Sequence, residues 1–167
     1  MSIEVTKPLI YEQANQIIKG LYGPNAKFRD GQYEAIEATM TRKRVLVVQR
    51  TGWGKSLVYF VCTKLMRKEN KGVTMVVSPL LVLMENQIEA ATKMGLRCDV
   101  LNSTVKDRRS EILDSLENDE LDLILVTPET LFSAEKREGQ GEQKETFHDS
   151  SSFRMSVAKD LRQNLIP

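Results

Sequence analysis

Residues 44–56 read RVLVVQRTGWGKS, and the fold turns on this stretch. Val45, Leu46, Val47 and Val48 form an apolar, β-branched run of the kind found in a strand buried on both faces. Residues 55–68, KSLVYFVCTKLMRK, carry apolar side chains at helical spacing. Between strand and helix the chain must turn through Thr51, Gly52, Trp53 and Gly54. Gly52 and Gly54 can take positive φ and bring no Cβ, so successive N–H groups can converge on phosphate oxygens above the positive end of the next helix. Lys55 is spaced to reach the outer phosphates as a point charge, and the Ser56 hydroxyl to ligate Mg2+ bound to them. The segment predicts a site for MgATP or MgGTP. The full phosphate-loop pattern has glycine where this chain has Gln49, so the match is partial. The competing reading is a strand ending in a glycine-rich turn before an ordinary helix. Trp53, between two glycines, is either a surface side chain of the loop or a contact.

At 167 residues, 41% hydrophobic and 28% charged, the chain has the length and composition of one ordinary globular domain. A formal net charge of +1 gives no global electrostatic footprint for nucleic acid, so any such binding has to come from a local surface. The N-terminus, MSIEVTKPLIYEQ, lacks a basic segment leading into an apolar core, and no apolar run approaches the length that spans a bilayer. A cytoplasmic protein with no membrane partner is expected. Cys62 and Cys98 each sit in an apolar pattern without metal-ligand spacing and read as two reduced core thiols. His148, the sole histidine, reads as a solvated side chain in a polar tail.

Working outward, residues 8–20 form a first helical pattern through Ile10, Ala14, Ile17 and Ile18, ended by Gly20, Gly23 and Pro24. A second helix starts near Asp30 and turns Tyr33, Ile36 and Met40 inward. After the helix at 55–68, residues 73–78 and 121–126 read as buried strands, and Cys98, Val100 and Leu101 as a short one. Helices are expected over 80–94, from a cap near Thr104 to about Leu116, and from Pro128 through Phe132. This alternation predicts an α/β fold, a parallel sheet with helices on both faces and ligands at the carboxyl ends of the strands. From residue 134 the chain has no apolar period and is dense in charge, Gly, Gln and Ser. Residues 1–133 therefore read as the folded domain and 134–167 as a disordered tail, with a weak amphipathic pattern over 153–166.

Taken together, these segments resemble the first RecA-like domain of superfamily 2 helicases and, within these, the RecQ family of DNA helicases. Leu21-Tyr22-Gly23 followed by Phe28-Arg29-Asp30-Gly31-Gln32 resembles motif 0, which implies that Gln32 reads the adenine edge with Phe28 and Arg29 beside the base. A carboxamide suits that task, offering a donor and an acceptor side by side. Thr51-Gly52-Trp53-Gly54-Lys55-Ser56 resembles motif I, and RecQ-like members often lack the leading glycine. The segment from Val76 through Ser78 and Pro79 to Gln87 resembles motif Ia, a DNA-backbone contact. Leu101-Asn102-Ser103-Thr104 matches a short signature after it. Val126-Thr127-Pro128-Glu129 resembles a later segment in which Thr127 and Pro128 lie beside the DNA strand. The resemblance thus implies a P-loop NTPase, RecA-like three-layer fold, an ATP and Mg2+ site, and single-stranded or junction DNA as partner. It also implies a nucleoid-associated or, in a eukaryote, nuclear location.

The resemblance runs from about Ile17 to Phe132. Hydrolysis in such helicases needs a strand running into Asp-Glu-x-His, and none is legible. Asp119-Glu120-Leu121-Asp122 precedes its strand, which reads these carboxylates as solvated loop residues. The chain reads as the front portion of a helicase, ended by truncation or a frame change, with an incomplete sheet. Weak nucleotide binding and background ATPase are expected of it. A noncatalytic nucleotide- or DNA-binding fragment or relic is the alternative. A P-loop phosphotransferase is the more distant one, since neither an arginine-rich lid nor an acidic strand end is visible.

Overall fold

The computed structural model describes residues 7–41, 43–70 and 72–130. The expected features beyond Thr130, including the end of the Pro128 helix, the polar tail, His148 and the pattern over 153–166, lie outside them. Two compact units divide the chain, Met1–Glu69 and Asn70–Pro167.

The first unit holds three helices, α1 (Lys7–Tyr22), α2 (Gln32–Met40) and α3 (Lys55–Lys68), which pack on one another. Ile10, Ala14, Ile17 and Ile18 of α1 are buried, as are Val58, Val61, Cys62 and Leu65 of α3, both sets at the 3–4 spacing that makes one helix face. Gly20 lies inside α1 rather than ending it. The stop comes at Gly23, whose φ of 95° and N–H bond to the Lys19 carbonyl form a left-handed cap. On α2 the inward face is rotated from the expected one: Gln32, Ala35 and Ile36 are buried, while Tyr33 and Met40 are half-buried. Tyr33 instead meets the rings of Tyr11, edge-on at 4.9 Å, and Phe28 at 6.1 Å.

One expectation fails here. Residues 45–48 are not a buried strand: Leu46 is 88% and Val48 80% exposed, and no strand among the described residues pairs with them. A strand buried on both faces needs a neighbour on each edge and a layer on each face. The described part of the first unit supplies helices only.

The second unit carries the sheet, β1 (Thr74–Val77), β2 (Cys98–Leu101) and β3 (Leu123–Val126), in the order β1-β3-β2 and wholly parallel. Thr74 and Cys98 both stand opposite Leu123, and Val77 and Leu101 opposite Val126. Helix α4 (Leu81–Lys93) links β1 to β2, and α5 (Arg109–Glu117), after a 3-10 turn at Lys106–Arg108, links β2 back to β3. These links run in opposite directions along the sheet, so right-handed crossovers put α4 and α5 on opposite faces. Ile124 and Val126 accordingly pack with Ile112, Leu113 and Leu116 of α5. Leu123 and Leu125 point the other way and are equally buried. This small parallel sheet with its helices is the α/β arrangement that the alternation predicts and the RecA-like fold that the resemblance implies, with three strands described. At the start of α5, Thr104 does not cap; its N–H and hydroxyl both donate to Asn102 Oδ1 at 2.7 Å.

Asp122 is a second correction. It is 8% exposed rather than solvated, and the N–H, Nε and Nη2 of Arg97 donate to its carboxylate at 2.9, 3.3 and 2.7 Å. The cause is position: Asp122 immediately precedes β3, between the starts of β1 and β2, and its carbonyl accepts the Thr74 N–H at 2.9 Å. Cys98 also departs from expectation, being only half-buried, whereas Cys62 is buried.

Candidate functional site

In the first unit the loop between residues 49 and 55 and the motif 0 segment come together. Gly52 and Gly54 take φ of 79° and 97°, values that a side chain would strain. A Cβ on Gly54 would also lie 2.7 Å from Gln32 Nε2. Gly54 precedes α3 without any side-chain cap, so the first N–H groups of that helix are left to point outward. The Lys55 ammonium folds back inside the loop and donates to the carbonyls of Gln49 and Arg50, the latter at 3.1 Å. Ser56 is half-buried in the first turn of α3, and Thr51 is exposed.

Gln32 is 2% exposed and turned into the loop. Its Oε1 accepts the Arg29 N–H at 2.8 Å, and its Nε2 donates to the carbonyls of Trp53 at 3.0 Å and Gly54 at 3.4 Å. Both amide hydrogens are thereby engaged, leaving one oxygen lone pair to accept from a ligand such as an adenine amino group. The Arg29 guanidinium donates to the Gly52 carbonyl, and Phe28 lies against Tyr33. Trp53 is buried, and its indole N–H donates to the Asp30 carbonyl at 3.2 Å. Sequence reasoning left this residue between two roles; the only hint of burial was its placement between glycines that free the loop to fold inward.

A cleft of about 450 Å³ lies beside the loop, lined by Gly31, Ala35 and Trp53 and by the exposed run 45–49. Glu34 and Gln49 add polar groups to its lining. Among the described residues no group of three or more His, Cys, Asp or Glu could hold a metal ion. The donor set fits a polyphosphate: one ammonium, an uncapped helix end and two glycines in the conformations a phosphate cradle requires.

In the second unit four of the predicted DNA-contacting residues, Ser78, Pro79, Thr127 and Pro128, follow the carboxyl ends of strands, whereas Gln87 lies within α4. Ser78 follows β1 and Thr127 follows β3; both are buried, and the Ser78 N–H donates to the Val126 carbonyl at 3.0 Å. Asn102, likewise buried, ends β2, so three polar residues stand in a row on one edge. Thr127 caps the helical residues 128–130, accepting the Thr130 N–H at 3.3 Å and sharing a 3.0 Å bond with its hydroxyl. Pro79 is exposed and Pro128 half-buried. Gln87 lies half-buried along α4, its Oε1 buried without a hydrogen-bond partner. The first turn of α4 is uncapped, and Leu80, Leu81, Val82 and Leu83 around it are exposed.

Charge is divided between the units. Residues 1–69 hold twelve Lys and Arg against six Asp and Glu, residues 70–167 twelve against seventeen, so a total of +1 conceals +6 and −5. The basic share lies in the unit that holds the loop at 49–55.

The DEAD/DEAH box helicase profile matches residues 29–153, three quarters of the chain. The chain belongs to the DEAD/DEAH box helicase family. The match begins at Arg29 of motif 0 and continues past Phe132, where the legible motifs end. Relatives of this chain carry RecQ and Q1 names, which bears out the resemblance read from the motifs. It is 37% identical over 132 residues to a putative ATP-dependent DNA helicase Q1 of Caenorhabditis briggsae, an alignment covering 77% of this chain and 21% of the relative. It is 39% identical over 110 residues to the ATP-dependent DNA helicase Q1 of Rattus norvegicus, covering 63% and 17%. It is 33% identical over 121 residues to the ATP-dependent DNA helicase RecQ of Haemophilus influenzae, covering 72% and 19%. The chain thus spans about a fifth of the length of these helicases. No helix among its described residues is long and apolar enough to cross a membrane.

Proposed function

We propose that residues 1–133 are the nucleotide- and DNA-binding front of a RecQ-like, ATP-dependent DNA helicase, and that the chain alone does not sustain turnover. The observation that carries this reading is the loop at 49–55, where the Lys55 ammonium folds back across two positive-φ glycines onto the Gln49 and Arg50 carbonyls. On binding, Lys55 exchanges those two carbonyls for phosphate oxygens, and the uncapped amides opening α3 add neutral donors. Ser56, in the first turn of α3, would hold Mg2+, and Gln32 would offer its remaining lone pair to the base. Bound ATP with Mg2+ supplies the phosphoryl group whose cleavage drives stepping in such helicases. Ser78, Gln87 and Thr127, with the amides opening α4, form the track for one DNA strand, contacting backbone rather than bases.

Hydrolysis needs a carboxylate pair to hold the metal and orient water. Asp122, the buried carboxylate nearest the sheet, is committed to Arg97 at the amino end of the strands, away from Ser78 and Thr127. The test is equilibrium binding of ATP and of single-stranded DNA to the full chain and to Lys55→Ala, together with steady-state hydrolysis. ATP should bind, Lys55→Ala should weaken it by about tenfold or more, DNA and a nonhydrolysable ATP analogue should affect each other's binding, and turnover should stay near background. Robust DNA-stimulated turnover abolished by Lys55→Ala would refute the noncatalytic part. ATP binding indifferent to that substitution would refute the site, and ATP binding with no response to DNA would favour a phosphotransferase.

A further inference from the structure

Trp53 is engaged through both its side chain and its main chain. Its ring is 7% exposed, with Cζ2 3.7 Å from where a Cβ on Gly31 would stand, and its Nε1–H donates to the Asp30 carbonyl. Gly31 itself has φ of 78°, so the surface under the ring suits glycine. On the main chain, three consecutive carbonyls are drawn toward the motif 0 segment: Gly52 by Arg29, and Trp53 and Gly54 by Gln32.

The peptide bonds are trans, and a planar trans peptide points its C=O and N–H in opposite directions. Drawing those three carbonyls toward residues 29–32 therefore turns the N–H groups of Trp53, Gly54 and Lys55 to the other side. The Trp53 N–H is found there, donating to the Arg50 carbonyl at 3.3 Å, the same atom that accepts from Lys55 Nζ at 3.1 Å. Positive φ at Gly52 and Gly54, with Trp53 between them, is the alternation that builds a concave row of amides for an anion.

We infer that Trp53 is a positioning residue for the triphosphate: its indole, seated on Asp30 and Gly31, pins the 52–54 carbonyls against Arg29 and Gln32, fixes its own N–H on the Arg50 carbonyl and keeps the Gly54 and Lys55 amides aimed at phosphate. The inference rests on reading residues 49–56 as a phosphate loop. A smaller residue at 53 would leave these peptides free to rotate, since the glycines on either side do not restrain them. The ring touches no phosphate; it acts through the backbone.

The experiment compares affinities of the full chain for ATP and for adenosine, in the presence of Mg2+, with Trp53→Gly and Trp53→Phe. Trp53→Gly should lower ATP affinity about tenfold while leaving adenosine affinity in place, so the ratio of the two falls. Trp53→Phe keeps a ring but loses the Nε1–H donor, and its ratio should fall about threefold. A purely structural role would reduce both affinities together with the folded fraction and leave the ratio unchanged, which would overturn the inference. Where the glycine variant does not fold, the phenylalanine variant decides by the same ratio. A wild-type chain that binds adenosine as tightly as ATP removes the phosphate-loop reading itself, a failure visible before any substitution is made.

Discussion

Two four-residue runs in this chain are near equals as sequence, VLVV at 45–48 and LILV in β3, and they end in opposite environments. Every residue of β3 has 0% of its surface exposed, whereas Leu46 and Val48 stand almost fully in solvent. What separates them is company. Leu123–Val126 has β1 on one edge, β2 on the other and a helix link over each face, while the described residues offer the earlier run no paired strand. An apolar β-branched run states what a segment needs; the rest of the chain decides whether the need is met.

Amide hydrogen exchange should expose this contrast most strongly. Amides of β3 should exchange slower than those of residues 45–48 on the order of a thousandfold or more, the gap between global opening and local fraying. Matching protection in the two runs would mean that 45–48 is paired in solution. Next in size is a pair of core and surface truncations read by urea midpoint. Ile124→Ala should cost about 2–5 kcal/mol, and Leu46→Ala no more than about 0.5 kcal/mol. Equal losses would break the comparison.

Within the second unit, Asp122→Ala should cost about 1–2 kcal/mol, because it strands the Arg97 N–H at the start of β3 while the half-exposed guanidinium turns to water. Glu89→Ala, which removes the exposed 2.6 Å pair with Lys93, should leave the melt unmoved. The smallest effect concerns the thiols. Burial pushes Cys62 in the first unit up to about 12, while Cys98, held by Thr92 and the Ile88 carbonyl, is raised less and is half-buried. A thiol reagent at pH 8 should therefore modify Cys98 first and Cys62 only on unfolding. Because the folded value of Cys62 lies above its unfolded value, its contribution is complete below the ordinary thiol range and fades as pH climbs through that range toward 12. A chain that loses stability between pH 6 and 8 on this account would contradict the assignment.

Much of the second unit was legible, because Val73, Leu101 and residues 121–126 carry both the hydrophobic pattern and the turn residues that bound it. The three helices of the first unit were also legible, to within a few residues at their ends. The failures have common physical causes. Residues 45–48 were misread because periodicity is local and pairing is not. Asp122 was misread because a carboxylate before a strand looks solvated until Arg97, 25 positions earlier, is seen beside it. The turn of the loop was readable from Gly52 and Gly54, both of which take positive φ. Its fastening to Arg29 and Gln32 through backbone carbonyls was not, since main-chain acceptors leave no mark in a sequence.

Trp53 is the only tryptophan in the chain. Light emitted by an indole here therefore comes from one ring, shielded from water and bonded to the backbone that frames the loop. The colour and polarisation of that emission belong to the loop alone, undiluted by the other unit. The sequence has placed its one such fluorophore within the candidate site, so the loop can be watched in the unmodified chain without attaching anything to it.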